Sequence, residues 1–291
     1  KLKNLQELYL RDNQISVLPE ELLALANLQK LALGENLLNS VPPFIGNFQH
    51  LEALDLFSNK LTALPVEIGE LRKLKKLDLN WNELQELPST ICNMTEMRLL
   101  FLERNQLRSL PDSIGNLDKI KEIHLYDNQL ADLPESFGKM QEIKELNLSK
   151  NNLKYLPESI GTLLNLRNLN ISENKLRKLP KLSELTSLEI LDISNNKLST
   201  IKNELNRLEN LTELNLSINV ISTFTIDPET LPELKRLDLE LNRIHVIPSA
   251  IFRLPALEYL NLSRNEIERV EKGISQLKNL SKLFLNDNRI Y

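Results

Sequence analysis

Leucine and isoleucine recur along this chain in one phrase, L-x-x-L-x-L-x-x-N-x-L, which is repeated from one end to the other. Leu74, Leu77 and Leu79 form its first half, and the polar residues between them give the alternation of a strand with one face in water. Each phrase contains one asparagine, and consecutive asparagines are 23 residues apart, with one step of 22. These asparagines are Asn13, Asn36, Asn59, Asn82, Asn105, Asn128, Asn151, Asn174, Asn196, Asn219, Asn242, Asn265 and Asn288.

Self-similarity at this period predicts a leucine-rich-repeat solenoid of the α/β class with about twelve repeats. We expect a parallel β-sheet on the concave face and short 3-10, helical or extended segments on the convex face. Each repeat contacts only its neighbours, so a single domain over residues 1–291 is predicted. The repeats start at Leu5, Leu28, Leu51, Leu74, Met97, Ile120, Ile143, Leu166, Leu188, Leu211, Leu234, Leu257 and Leu280.

Four kinds of position inside the repeat have predictable roles. The side-chain amide of Asn82 can satisfy backbone groups of its turn and bond to the next coil. Pro88 is expected at the first position of a helical turn. Glycines such as Gly69 are expected to end or tighten that turn. Cys92 occupies the glycine position and is predicted to be a packed thiol rather than a reactive one.

Composition excludes several classes of function. The net charge is −4 and both signs are interleaved, so no basic block predicts nucleic-acid binding. No run of 18 apolar residues predicts a membrane span, and one cysteine cannot form an intrachain disulfide. The chain opens and closes inside a repeat without polar caps, from which we expect a longer chain or disordered ends. A monomer without a cofactor is predicted.

The longer phrase L-x-x-L-x-L-x-x-N-x-L-x-x-L-P-x-x-I-G-x-L resembles the 23-residue repeats of Ras-suppressor-like proteins, plant intracellular Ras-group proteins and bacterial proteins, notably those of spirochaetes. The resemblance covers Leu5 to Ile290. It implies non-enzymatic protein recognition, either by a bacterial surface or secreted protein that contacts host proteins, or by a cytoplasmic scaffold or regulator of a small GTPase. The chain has no cysteine-rich caps, which argues against a disulfide-stabilised receptor ectodomain.

Outward-facing strand positions are where one repeat can differ from another without breaking the coil. From Asn147 to Ser217 these positions hold mainly Asn, Asp and Ser, which are typical of a solvated sheet. Repeats three to six instead carry aromatic side chains with a charged rim, a composition typical of interaction sites. The predicted partner-binding residues are Asp55, Phe57, Asp78, Trp81, Leu99, Phe101, Glu103, Arg104, His124, Tyr126 and Asp127.

Three alternatives accompany this prediction. The aromatic side chains are also compatible with a ladder that stabilises the sheet, or with a carbohydrate site in which rings stack on sugars. A weaker second patch comprises Ile218, Arg236, Glu240, Leu241, Arg243, Tyr259 and Arg264, although Ile218 and Leu241 lie where they could be buried against neighbours. His124 near Glu103 is the only acid–base candidate, and an open sheet shields it little from water, so no enzyme activity is predicted. Asp55 and Asp78 are neighbours that could share a cation but have no third ligand at a suitable spacing, so no metal site is predicted.

Overall fold

A computed structural model describes residues 2–291, so Lys1 lies outside the described residues. The chain divides into two compact units, the first ending at Ile143 and the second beginning at Lys144. Each unit contains stacked repeats with parallel strands. The single domain over residues 1–291 stays a prediction.

The first unit has one three-residue strand in each repeat. The strands are β1 (Glu7–Tyr9), β2 (Lys30–Ala32), β3 (Ala53–Asp55), β4 (Lys76–Asp78), β5 (Leu99–Phe101) and β6 (Glu122–His124). Each pairs with the next in parallel, without a shift, so that Asp55 lies opposite Asp78 and Phe101 opposite His124. The central leucine or isoleucine of strands β2 to β6 is buried, and Leu54 is 1% exposed. The predicted parallel sheet is confirmed.

The second unit continues the same repeat and adds a second, smaller sheet. Its main strands are β7 (Glu145–Asn147), β8 (Asn168–Asn170), β9 (Ile190–Asp192), β11 (Glu213–Asn215), β13 (Arg236–Asp238), β14 (Tyr259–Asn261) and β15 (Lys282–Phe284). Strands β10 (Thr200–Ile201) and β12 (Thr223–Phe224) pair in parallel outside that sheet.

The second sheet has a simple backbone cause. Thr225 stands where most repeats have proline, and its N–H donates a hydrogen bond to Ile201 O at 2.8 Å. A proline has no N–H and cannot make this bond. Lys202 replaces the proline of the preceding repeat as well, so two consecutive segments are free to pair as strands.

The helical segments of the described chain are all 3-10 helices of three to five residues. They are Glu20–Ala24, Pro43–Asn47, Val66–Glu70, Ser89–Asn93, Ile114–Asn116 and Glu135–Lys139 in the first unit, and Glu158–Thr162, Asn203–Leu205, Pro228–Thr230, Ile251–Arg253 and Lys272–Gln276 in the second. Pro65 and Pro88 precede their helices with extended ψ angles of 151° and 140°. In these two repeats, proline therefore lies one residue before the helical position that was predicted.

Buried asparagines join each repeat to its neighbour. The Asn82 Nδ2 group donates to Leu79 O at 3.1 Å in its own turn and to Leu56 O at 3.0 Å in the preceding repeat. Its Oδ1 atom accepts from the N–H of Leu61 at 3.0 Å. The prediction that the amide serves its turn and a neighbouring coil is confirmed, but the neighbour is the preceding repeat rather than the next one.

The glycines of the helical side are required by close packing rather than by an unusual φ angle. No described glycine has a positive φ. A Cβ atom on Gly46 would lie 2.6 Å from Glu67 O of the following repeat. Gly46 is the penultimate residue of its 3-10 helix, so the expectation that these glycines end or tighten the turn stays a prediction, and the close approach of the neighbouring backbone is a further reason for glycine there. Cys92 takes this position as a buried free thiol, and its burial raises the thiol pKa, as expected for a packed cysteine.

Candidate functional site

The outward side chains of the first unit carry all eleven residues that the sequence singles out. Asp55, Asp78, Leu99, Phe101 and His124 lie on strands β3 to β6; Phe57, Glu103 and Tyr126 lie two residues after a strand; Trp81, Arg104 and Asp127 lie one residue further. None of them is buried, and Trp81 is 48% exposed. We call this set the aromatic patch.

Trp81, Arg104 and Asp127 occupy left-handed backbone positions, a conformation that was not predicted from the sequence. Their φ angles are 57°, 52° and 56°, and the equivalent residue of every repeat is left-handed. The Trp81 N–H donates to Glu103 O of the following repeat at 2.8 Å, which holds the turn in this conformation. A bulky residue in this region carries a conformational cost of about 1–3 kcal/mol. Asparagine or glycine would adopt this left-handed conformation at a lower conformational cost than the exposed tryptophan does.

Arg104 links the turn residues into one cluster. Its guanidinium carbon lies 4.0 Å from the centre of the Trp81 ring and 6.0 Å from that of Tyr126. Its Nε atom lies 3.8 Å from a carboxylate oxygen of Asp127. Cation–π contacts of this kind contribute about 0.5–1 kcal/mol at exposed sites. The two rings and the guanidinium are thus held near one another before any partner arrives.

A second cluster lies on the strands. The rings of Phe101 and His124 are 4.7 Å apart and tilted by 54°. The His124 Nδ1 atom lies 3.2 Å from a Glu103 carboxylate oxygen, and Lys76 Nζ lies 5.2 Å from the centre of the Phe101 ring. Both members of the His124–Glu103 pair are open to water, an arrangement that gives little shielding for acid–base catalysis. The absence of enzyme activity stays a prediction.

Asp55 and Asp78 have a structural role that the sequence reading did not assign. Asp55 Oδ1 accepts from the N–H of Phe57 at 2.9 Å, and Asp78 Oδ1 accepts from the N–H of Asn80 at 3.2 Å. Burial raises the pKa of Asp78, while the Asn80 N–H lowers it and the Asp55 carboxylate raises it. Among the described residues, no three side chains of the His, Cys, Asp and Glu types come close enough to hold a metal ion.

Phe101 and His124 replace this capping residue in their repeats. The Glu103 N–H, which a capping Asp at position 101 would serve, donates instead to Asn80 Oδ1 of the preceding repeat at 2.6 Å. Asn80 therefore satisfies the backbone group that Phe101 leaves without its local acceptor. This exchange allows an aromatic ring to occupy the strand without an unpaired N–H group beneath it.

The second patch of the sequence analysis lies in the second unit. Arg236 stacks on Tyr259 at 3.7 Å, and Tyr259 lies 5.3 Å from Phe284. Ile218 and Leu241 are 45% and 43% exposed, so the alternative that they are buried against neighbours was wrong. Both are left-handed, with φ angles of 55° and 53°.

Comparison with known proteins gives one consistent family. A model described as leucine rich repeat matches residues 3–61, 119–176 and 232–290, and one described as leucine-rich repeat region matches residues 43–131. Another leucine-rich-repeat model matches residues 187–208. A search of curated proteins finds no match. Within the described residues, no helix has the length and apolar character needed to cross a bilayer.

Similar solved structures come from bacteria and plants. A leucine-rich-repeat protein of Leptospira interrogans is 37% identical with a TM-score of 0.86, and the match covers 99% of this chain and 74% of that one. The plant peptide hormone receptor RGFR1, in complex with RGF2, is 31% identical with a TM-score of 0.78, covering 99% of this chain and 52% of that one.

The ectodomain of the Arabidopsis thaliana receptor kinase GASSHO1/SCHENGEN3, in complex with CASPARIAN STRIP INTEGRITY FACTOR 2, is 26% identical with a TM-score of 0.81. That match covers 98% of this chain and 36% of the receptor, so this chain spans about a third to a half of the length of the two plant receptors. The repeated asparagine ladder, the family-model matches and the Leptospira relative agree. The chain belongs to the leucine-rich-repeat family.

Proposed function

We propose that the chain is a recognition module that binds a partner polypeptide through the aromatic patch of its first unit. The observation that carries the proposal is the exposed Trp81 ring, held on a left-handed turn and linked by Arg104 to Tyr126. Tryptophan, tyrosine and arginine are the residues that most often dominate binding energy at protein interfaces. Asp127, Glu103 and Lys76 supply the polar rim that such interfaces have.

The contacts of the aromatic rings favour a polypeptide over a neutral sugar. Arg11 lies 5.1 Å from the centre of the Phe57 ring, and Arg104 and Lys76 lie over Trp81 and Phe101. Each of these rings already has a cation over one face, so a neutral sugar that stacks there has only the opposite face available. A polypeptide can use the ring edges together with the surrounding charges.

Two of the relatives support this class of partner, and one supports a bacterial context. RGFR1 and GASSHO1/SCHENGEN3 are each described in complex with another factor. The relative from Leptospira supports a bacterial protein, and we extend this to a surface or secreted protein that contacts host proteins. Non-enzymatic binding by a monomer, without nucleic acid, completes the proposal. No contact in the patch favours a small GTPase, so that alternative has no separate support.

Selection from a phage-displayed library of random 16-residue peptides on the immobilised chain tests the proposal. The dissociation constant of the best synthetic peptide should rise at least ~30-fold, or about 2 kcal/mol, in the Trp81→Ala/Tyr126→Ala variant. Glu173→Ala/Ser217→Ala is the matched control, because it changes the same two turn positions, two repeats apart, in the second unit.

Two outcomes would overturn the proposal. Selected peptides that bind the double variant as tightly as the wild type would remove the aromatic patch from recognition. The second outcome is that no peptide is selected, while neutral oligosaccharides on an array bind the wild type but not the Trp81→Ala variant. That result would establish the carbohydrate alternative instead.

A further inference from the structure

Five cationic side chains follow three consecutive asparagines of the second unit. Lys154 follows Asn151 in its turn, Lys175, Arg177 and Lys178 follow Asn174, and Lys197 follows Asn196. All five are exposed. We call them the basic strip. It lies beyond the strands, at the turns that lead to the helical side, and shares no residue with the aromatic patch.

Backbone hydrogen bonds stack the three turns of the strip directly on one another. The Lys175 N–H donates to Leu153 O at 2.9 Å, and the Lys197 N–H donates to Leu176 O at 2.8 Å. Leu153 N–H in turn donates to Asn174 Oδ1 at 3.0 Å. Segments bonded in this way lie about 4.8 Å apart. The five cations therefore form one continuous surface, although they are spread over 44 residues of sequence, from position 154 to position 197.

Among the described residues, the cations of the strip are not paired with carboxylates. None of its five side chains takes part in an ion pair in the part of the chain that the structure describes, whereas pairs such as Arg167–Glu189 and Lys181–Glu184 form elsewhere in the second unit. Residues 151–155, 174–178 and 196–200 contain no carboxylate, and the nearest along the sequence are Glu158 and Glu173. By contrast, the same turn of the fourth repeat holds Glu83 and Glu86.

Stacking therefore creates a basic surface that the linear sequence hides. The sequence analysis found no basic block because 23-residue steps separate the cations, and the chain as a whole carries a net charge of −4. Screening in physiological salt acts over about 8 Å, so a bound anion experiences mainly the charges of the strip and those close to it, such as Glu173, rather than the net charge of the whole chain. Interleaved charges in the linear sequence therefore do not exclude a basic surface when cations recur with the period of the repeat.

We propose that the basic strip binds a sulfated polysaccharide. Four of its five cations are lysines, which act as flexible point charges and suit sulfate groups at variable positions along a chain. Successive turns lie about 4.8 Å apart, so the charges recur along the strip as sulfate groups recur along a polysaccharide chain. Tyr155, which is 49% exposed beside Lys154, supplies a ring on which the apolar face of a sugar can rest.

The strip suits other polyanions less well. An acidic protein segment would need an apolar anchor at the centre of the contact, and Tyr155 stands at the edge. Single-stranded nucleic acids need several aromatic platforms for their bases, and the strip has one ring. A lipid surface would need an apolar face that inserts beside the charges, and the side chains between these cations, Leu153 and Leu176, are buried.

Titration of the whole chain with a heparin octasaccharide at 50, 150 and 300 mM NaCl tests this inference. We expect saturable binding that weakens steeply with salt, because bound cations displace counterions from the polyanion. The Lys175→Gln/Arg177→Gln/Lys178→Gln variant should bind at least tenfold more weakly at 150 mM NaCl. The matched control, Lys235→Gln/Lys278→Gln/Lys282→Gln, removes the same number of exposed charges elsewhere in the second unit and should bind within twofold of the wild type.

Each contrary result has a definite meaning. Equal losses in the two triple variants, or no binding at 50 mM NaCl, would overturn the inference. Tighter binding of a poly-glutamate peptide, a single-stranded oligonucleotide or phosphatidylserine vesicles than of heparin would assign the strip to that polyanion instead. De-sulfated heparin that binds as well as heparin would also overturn it. Circular dichroism of both variants establishes that they fold.

Discussion

The sheet faces of the two units share the same repeat but differ in the side chains at their outward strand positions. In the second unit, Asn147 Oδ1 accepts both the N–H and the hydroxyl of Ser149, at 3.0 and 2.6 Å, and Asn170 does the same for Ser172. These polar side chains satisfy one another and leave few groups for a partner. In the first unit, Phe101 and His124 replace that residue and point toward solvent. The comparison separates positions that maintain the sheet from positions that are available for recognition.

The largest expected effect tests what the two units share. Asn82→Ala in the first unit and Asn219→Ala in the second should each lower the free energy of unfolding by about 3 kcal/mol, because backbone groups of two adjacent repeats lose their partner. Urea denaturation measures the loss. Asn82→Asp is the control that keeps the acceptor for Leu61 N–H but removes the donor. An unchanged transition midpoint in either alanine variant would contradict the ladder.

The next effect tests what the two units do not share. Asn170→Phe would place an aromatic ring where the first unit has Phe101, but without a substitute acceptor for Ser172 N–H. We expect a loss of about 1 kcal/mol in the free energy of unfolding, measured by thermal denaturation. Asn170→Asp retains the acceptor and should cost less. A fully stable Asn170→Phe variant would mean that the hydrogen bonds from Ser N–H groups to these asparagine side chains contribute nothing to the free energy of unfolding.

The left-handed turns give an effect of opposite sign. Ile218→Asn should raise the free energy of unfolding by about 1 kcal/mol, because asparagine tolerates the φ of 55° that a β-branched residue resists. The reciprocal change, Asn195→Ile, should lower it by a similar amount. Melting temperatures of the pair measure both effects. If the two changes shift stability in the same direction, the backbone conformation does not determine it.

The smallest expected effect depends on pH. Burial raises the pKa of Asp78 in the folded chain, so folding takes up protons and the ionised carboxylate opposes folding. The loss of folding free energy caused by the ionised carboxylate is absent below the unfolded pKa of 3.8, and it reaches its full value once the pH exceeds the folded pKa. Asp78→Asn should therefore stabilise the chain at pH 7 by up to about 0.5 kcal/mol and have less effect at pH 3.

Asp238 in the second unit sharpens that test. Burial also raises its pKa, but Arg236 lies 3.6 Å from its carboxylate and Asn261 donates to it at 3.4 Å. Asp238→Asn loses the ion pair, so its gain at pH 7 should be smaller than that of Asp78→Asn. The difference between the two melting-temperature profiles across pH is the measurement. An equal gain would mean that Arg236 does not compensate the carboxylate.

The periodic leucines and asparagines predict most of the fold, because each strand and each ladder position depends on residues within one repeat. The 23-residue spacing also predicts which side chains of the aromatic patch share a surface. The left-handed turns were not predictable, because residues as different as Ser58, Trp81 and Ile218 occupy them. Their conformation is determined by hydrogen bonds to the next repeat, such as that from Trp81 N–H to Glu103 O.

Features that depend on two repeats at once were also missed. Cross-capping of Glu103 by Asn80 compensates Phe101 from one strand away. The pairing of Thr225 with Ile201 needs the absence of proline in two consecutive repeats. Aligning the repeats in columns, and reading neighbouring rows together, would have revealed both, as well as the basic strip.

The reach of the asparagine side chain also limits how the gene can change in length. Most of these amides bond to residues 26 and 21 positions earlier, whereas Asn196 bonds to Ile171 and Leu176, only 25 and 20 positions earlier. Loss of one residue on the helical side, between Asn174 and Asn196, therefore leaves the hydrogen bonds of the asparagine ladder intact. Duplication or excision of whole 23-residue modules preserves every partner, so such proteins can lengthen or shorten by recombination while each surviving joint stays intact.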